Sequence, residues 1–117
     1  MQLINTNTLE IKKSKFMAYY YNVENIEEVK IVLEQLKKDH KKAKHFVYAY
    51  NINNYMKKSD DKEPGGTAGM PILNIITKNN LNNTLIVVVR YFGGIKLGAG
   101  VLTRAYSNSA KEVIKIN

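Results

Sequence analysis

The residues with chemistry to offer lie in two stretches, "SDDKEPGGTAG" (59–69) and "RYFGGIKLGAGVLTR" (90–104). In the first, Asp60, Asp61 and Glu63 place three carboxylates in four positions. Such a cluster could hold a divalent cation or serve as an acid/base pair. Their run into Pro64 and Gly65 equally suits a solvated loop that neutralises a basic neighbour. In the second, Gly93, Gly94, Gly98 and Gly100 surround Lys96 and are bracketed by Arg90 and Arg104. Of the 18 basic residues these two alone are arginines. Lysine replaces arginine wherever a solvated charge suffices, but not where a planar fork must grip an oxyanion from two sides.

Each glycine cluster leads into a helical pattern, Gly65, Gly66 and Thr67 into the first and Gly93 to Gly100 into the second. The first turn of a helix carries unpartnered N–H groups and a partial positive charge, and glycine lets an anion approach it closely. The anion- or partner-binding candidates are therefore Gly65, Gly66, Thr67, Arg90, Gly93, Gly94, Lys96, Gly98, Gly100 and Arg104. Known nucleotide patterns do not fit. Gly98 is followed by Ala99 and Gly100 rather than Lys-Ser/Thr, and Thr103 stands where a dinucleotide fold needs its third glycine. A tight strand-to-helix turn, and an internal pair between an arginine and Asp60, Asp61 or Glu63, remain open alternatives.

Catalytic candidates are Asp60, Asp61, Glu63 and His45. His45 precedes a strand, where a structural role is the commoner one, and His40 in its lysine run reads as a solvated helix end. Ser59 and Ser107 lack a nucleophile elbow. Two histidines, His40 and His45, with no cysteine give no metal-ligand set, and no cofactor motif is present, so neither a metal nor a cofactor is expected.

Positioning these stretches requires a sheet and three helices. Lys13 to Val23 reads as a strand, with Phe16, Ala18 and Tyr20 on one face. Asn25 and Glu28 form a helix start, and Ile26, Val29, Val32, Leu33 and Leu36 recur at helical spacing to about Asp39. Phe46 to Tyr50 is a strand, 51–66 a long polar loop and 67–78 a short helix with Pro71 in its first turn. Leu85 to Phe92, without polar alternation, is a strand buried on both faces. Val101, Leu102, Ala105, Ser109, Val113 and Ile114 mark a final helix. The order implies an α+β fold, a single mixed-sheet domain with helices packed on the sheet.

At 117 residues the chain suffices for one core. "MQLINTNTLE" is no signal peptide and "LIVVV" is too short to span a bilayer. No membrane role is expected, and the absence of cysteine suits a reducing cytoplasm. The net charge of +8 matters less than its distribution, because residues 64–111 contain no Asp or Glu.

"SDDKEPGGTAGMPIL", "VVVRYFGGIKLGAG" and "LTRAYS", together with "KKSKF" and "HFVYAY", closely resemble the Impact family, whose bacterial members are YigZ-like. The resemblance covers 1–117 as the family's N-terminal domain, and the ferredoxin-like C-terminal domain of bacterial relatives is expected to be absent. It implies the left-handed βαβ fold of a small-subunit ribosomal protein domain and of elongation factor G domain IV. It departs at Lys62, where glycine is usual, at Gly66 for serine, at Val89 for threonine and at Val101, which breaks a second glycine pair. The family implies regulation of translation: eukaryotic members look like regulators that compete for a kinase's ribosome-associated activator. The expected function is a non-catalytic binding module, cytoplasmic, with RNA, the ribosome or a ribosome-associated protein as partner. The alternative is an enzyme, hydrolase- or peptidase-like, acting on a small phosphorylated or carboxylated substrate.

Overall fold

The β-branched run that ends in Arg90 becomes the middle of the molecule. In the computed structural model, which describes residues 1–116, it is strand β5 (Thr84–Tyr91). The other strands are β1 (Gln2–Ile11), β2 (Ser14–Asn22), β3 (His45–Ile52) and β4 (Tyr55–Ser59). Helices α1 (Ile26–Asp39), α2 (Gly69–Lys78) and α3 (Ala99–Val113) complete the fold. The five strands run in the order β1-β2-β5-β3-β4 and every adjacent pair is antiparallel. The α+β architecture with helices packed on one sheet is as expected, but the sheet is antiparallel rather than mixed, because β5 lies between β2 and β3 and the two parallel strands do not pair.

Two strands go beyond the sequence reading. β1 carries a polar Asn/Thr pattern, and β4 lies in what reads as one long loop from 51 to 66. Both pair through tight two-residue turns whose centres are left-handed. Lys12 and Lys13 stand at φ +47° and +70°, Asn53 and Asn54 at φ +52° and +66°. Turns with positive φ at both centres match the right-handed twist of the strands they join, and asparagine tolerates them well. β4 is an exposed edge, and its Lys57 and Lys58 discourage pairing with a further strand.

Helices cover both faces of β5, which explains its unbroken burial. On one face Phe16, Ala18, Val47, Ala49, Ile86 and Val88 pack against α2 and α3, through Ile72, Ile76, Leu102 and Tyr106. The Phe16 and Tyr106 rings meet edge to face, centroids 5.2 Å apart. On the other face Val29, Val32 and Leu36 of α1 close over Leu85, Val87 and Val89. Fully burying one such aliphatic side chain stabilises the fold by about 1.5–3 kcal/mol. Asn25 caps α1 as its sequence foretells, accepting from the N–H of Glu28, while the Glu28 carboxylate accepts from the N–H of Glu24.

This arrangement brings three chain segments to one end of the sheet. β2 and β3 begin where β5 finishes, with Lys15 opposite Tyr91 and His45 opposite Arg90. Both glycine turns lie at the same end, where Pro64 and Lys96 border one cleft.

Candidate functional site

The first glycine turn is closed on itself. Asp60 Oδ1 accepts from the N–H groups of Gly69 at 2.8 Å and Ala68 at 3.2 Å, and its Oδ2 from that of Gly66 at 3.0 Å. The carboxylate therefore occupies the N-terminus of α2, where an external anion was expected. Burial works to raise its pKa, but the backbone donors of Gly69, Gly66 and Ala68 outweigh it, and the group lies below the ordinary carboxylate range. Thr67 is buried and gives its hydroxyl proton to the Pro64 carbonyl. Gly69 packs against Ser59, whose backbone lies 3.0 Å from where a Cβ would stand. Asp61 accepts from the N–H of Phe46, and its carbonyl takes the Nδ1 proton of His45. Asp60, Asp61, Thr67 and His45 thus hold the loop together.

Glu63 and Arg90 form the buried centre of the arrangement. Arg90 Nη1 reaches both Glu63 oxygens, at 2.9 and 2.8 Å, and its Nη2 donates to Ser14 at 3.3 Å. Tyr106 donates its hydroxyl to Glu63 Oε2, and His45 Nε2 stands 3.4 Å from Oε1. Arg90 is 4% exposed and Glu63 7%. Burial, then the Glu63 carboxylate, pushes the Tyr106 hydroxyl far up, so it stays protonated and donates. The arginine fork is used, but on a carboxylate of its own chain. This corrects the expectation that Arg90 grips an external ligand. It equally corrects Glu63 as a free acid/base group. Removing one member of such a pair leaves an uncompensated buried charge, which costs about 3–5 kcal/mol.

The second glycine turn is open. Among the described residues no side chain caps α3, Gly98 standing before it, and no acidic residue lies in its first turn. Gly93 is needed by the fold, since a Cβ there would fall 2.1 Å from the backbone of Lys13, and Gly94 takes φ +87°. Gly98 and Gly100 are different. A Cβ on Gly98 meets nothing within 4 Å, and one on Gly100 makes only ordinary contact, 3.5 Å from Arg104 Nη1. Lys96 and Arg104 are exposed, and among the described residues neither forms an ion pair or side-chain hydrogen bond. Between the two turns lies a cleft of about 210 Å³, lined by Glu63, Pro64, Arg90, Phe92, Lys96 and Leu97 among others. The glycine turns therefore converge, with one arginine inside the protein and the other outside.

Comparison with known proteins decides the family. A model of the Impact N-terminal domain matches residues 12–114. The chain belongs to the Impact family. It is 46% identical over 105 residues to the Impact family member YvyE of Bacillus subtilis, covering 87% of this chain and 48% of that protein. To YigZ of Escherichia coli it is 34% identical over 111 residues, covering 91% and 54%. It thus spans about half the length of these curated relatives. A crystal structure of a hypothetical protein superimposes with a TM-score of 0.90 at 34% identity, over 97% of this chain and 59% of that one. A second neighbour is the two-domain translational regulator Yih1, with a TM-score of 0.55 and 25% identity over 95% of this chain and 46% of that one.

Two features of this Impact domain escaped sequence reasoning. His40, read as a solvated helix end, is held between two tyrosines, with Nε2 2.7 Å from the Tyr19 hydroxyl and Nδ1 2.6 Å from that of Tyr91. Burial, then Tyr91 and Asp39, raise the pKa of Tyr19. This bridge ties the C-terminus of α1 to β2 and β5. The second is Phe92, 43% exposed at the end of β5, with Lys44 Nζ 4.7 Å above its ring. The sequence shows an aromatic and a lysine there, but only the strand register brings residues 44 and 92 together.

Proposed function

We propose that this Impact domain is a non-catalytic regulatory module linked to translation, working in the cytoplasm by binding RNA or a ribosome-associated protein. Its contact surface is the open turn from Gly93 to Gly100 with Lys96 and Arg104. The observation that carries the reading is the pair Gly98 and Gly100. Neither is required by packing, and glycine near a helix start lacks the favourable propensity of alanine. Small residues that the fold does not need, at an uncapped helix start beside an exposed arginine, suit close approach by a partner's acidic group. The description of Yih1 as a translational regulator supports the direction of the assignment. Asp60, Asp61 and Glu63 are engaged by their own backbone and side chains, so the regulatory reading is favoured over hydrolysis.

The experiment is cosedimentation of the chain with ribosomes across a salt series. Gly100→Ala and Arg104→Ala should each weaken association at least fivefold while the melting transition stays within about 1 kcal/mol of the parent, the scale of helix propensity. Association that survives both substitutions would overturn the reading.

A further inference from the structure

We propose that the lysine-lined end of the sheet is a groove for single-stranded RNA, with Phe92 as the stacking platform at its midpoint. This deepens the functional reading above and rests on it for the choice of RNA. Two hollows meet at Phe92. One, of about 350 Å³, is lined by Lys13, Lys15, Met17 and Tyr91; the other is the cleft that Lys44 and Lys96 border. Phe92 lines both, so the two hollows adjoin at this residue.

Cations reach these hollows from three separate segments. The β1–β2 hairpin supplies Lys13 and Lys15, the connection before β3 supplies Lys44, and the open turn supplies Lys96. All are exposed, and none makes an ion pair among the described residues. Carboxylates nearby are few: Glu10 lies across the hairpin from Lys15, Asp39 accepts from Gln35, and Glu63 is turned inward onto Arg90. Lysines act as point charges on flexible stems, which suits a run of phosphates of variable spacing rather than one fixed oxyanion. Phe92 is 43% exposed, with Lys44 and the Arg90 guanidinium 4.7 and 5.9 Å from its ring centre, and an exposed aromatic edge among cations is where a nucleobase can stack by displacing the flexible Lys44 head. An acidic peptide without aromatic residues would meet the charges but offers no flat π face for Phe92.

The test is fluorescence anisotropy with the full chain and labelled twelve-nucleotide oligouridylate and oligoadenylate. Lys15→Glu combined with Lys44→Glu should lower affinity at least tenfold and flatten the salt dependence, whose slope is about 0.7 per phosphate contact in single strands. Phe92→Leu, which keeps apolar bulk, should lower affinity about tenfold with the slope unchanged. Lys78→Glu combined with Lys111→Glu makes the same change in net charge in the hollow between α2 and α3, where no aromatic residue stands. That control should stay within twofold. The groove is overturned if the control matches the groove variant, if Phe92→Leu binds like the parent, if duplex RNA binds as well as single strands, or if polyglutamate of equal charge displaces the RNA. Loss of RNA binding as such, with ribosome association still dependent on Gly100 and Arg104, would remove the groove and leave the functional reading standing.

Discussion

The two glycine turns begin from the same local chemistry and end differently. Each places small residues ahead of a helix and leaves that helix with unpartnered N–H groups. At α2 a carboxylate nine residues before the first helical residue folds back, and Asp60 satisfies two N–H groups at the helix start, those of Ala68 and Gly69, and that of Gly66 in the turn before it. At α3 no acid is near in sequence, since residues 64–111 lack Asp and Glu, and the helix start stays uncapped. A glycine-rich turn before a helix is thus a demand for negative charge, and the chain's own acids decide whether the demand is met internally. The acid-free stretch that stands out in the sequence has its consequence at α3 alone.

The arginines divide the same way, and breaking the inner one should have the largest effect. Arg90→Ala or Glu63→Gln should each cost about 3–5 kcal/mol, because the surviving partner is left charged or unpaired in the interior. Replacing both, as Arg90→Met with Glu63→Leu, should recover much of the loss, since a buried ion pair contributes little over apolar groups of similar size. Urea unfolding of the three variants checks this. Single variants as stable as the parent would return Arg90 to the role of ligand clamp and abolish the distinction between the turns.

How far the sequence carried the interpretation follows from which interactions are local. The Asn25 cap, the stripe on α1, Pro71 in the first turn of α2 and the burial of Leu85 to Val89 all depend on neighbours within a few residues, and all are legible. β1 and β4 are edge strands with polar or charged residues, whose pairing is specified by the partner strand and by turns such as Asn53–Asn54. Glu63 and Arg90 stand 27 residues apart and Ser14 and Arg90 76, so the choice of Glu63 over Asp60 and Asp61 as the arginine's partner was out of reach. The joining of Lys44 to Phe92 was hidden for the same reason. Lys62, where the resemblance leads one to expect glycine, stands at φ +70°, so the left-handed turn persists even without the residue that favours it.

The cap of the closed turn gives an intermediate effect with a pH signature. Asp60→Ala should cost about 1–2 kcal/mol at neutral pH, the range of a lost helix cap. The folded pKa of Asp60 is depressed from its ordinary 3.8, so its contribution is fully present above that value. It is lost as pH falls through the depressed folded value, where the carboxyl becomes protonated in both states. The stability gap between parent and Asp60→Ala, measured by urea unfolding from pH 7 downward, should therefore narrow below about pH 4. A gap that holds constant into acid would mean that the carboxylate's charge does nothing at the start of α2.

The smallest effect on stability belongs to the open turn. Arg104 is exposed and unpaired among the described residues, and Arg104→Ala should change unfolding free energy by no more than about 0.5 kcal/mol, as surface substitutions do. Gly100→Ala should be neutral or stabilising, because the new methyl finds ordinary contact distance to Arg104 and alanine is the better helix former. The contrast with Arg90 is then complete: two arginines at the edges of one motif, one needed to fold and the other free to be spent on a partner. If Arg104→Ala unfolds as readily as Arg90→Ala, the outer turn is architecture too, and the glycines at 98 and 100 need another explanation.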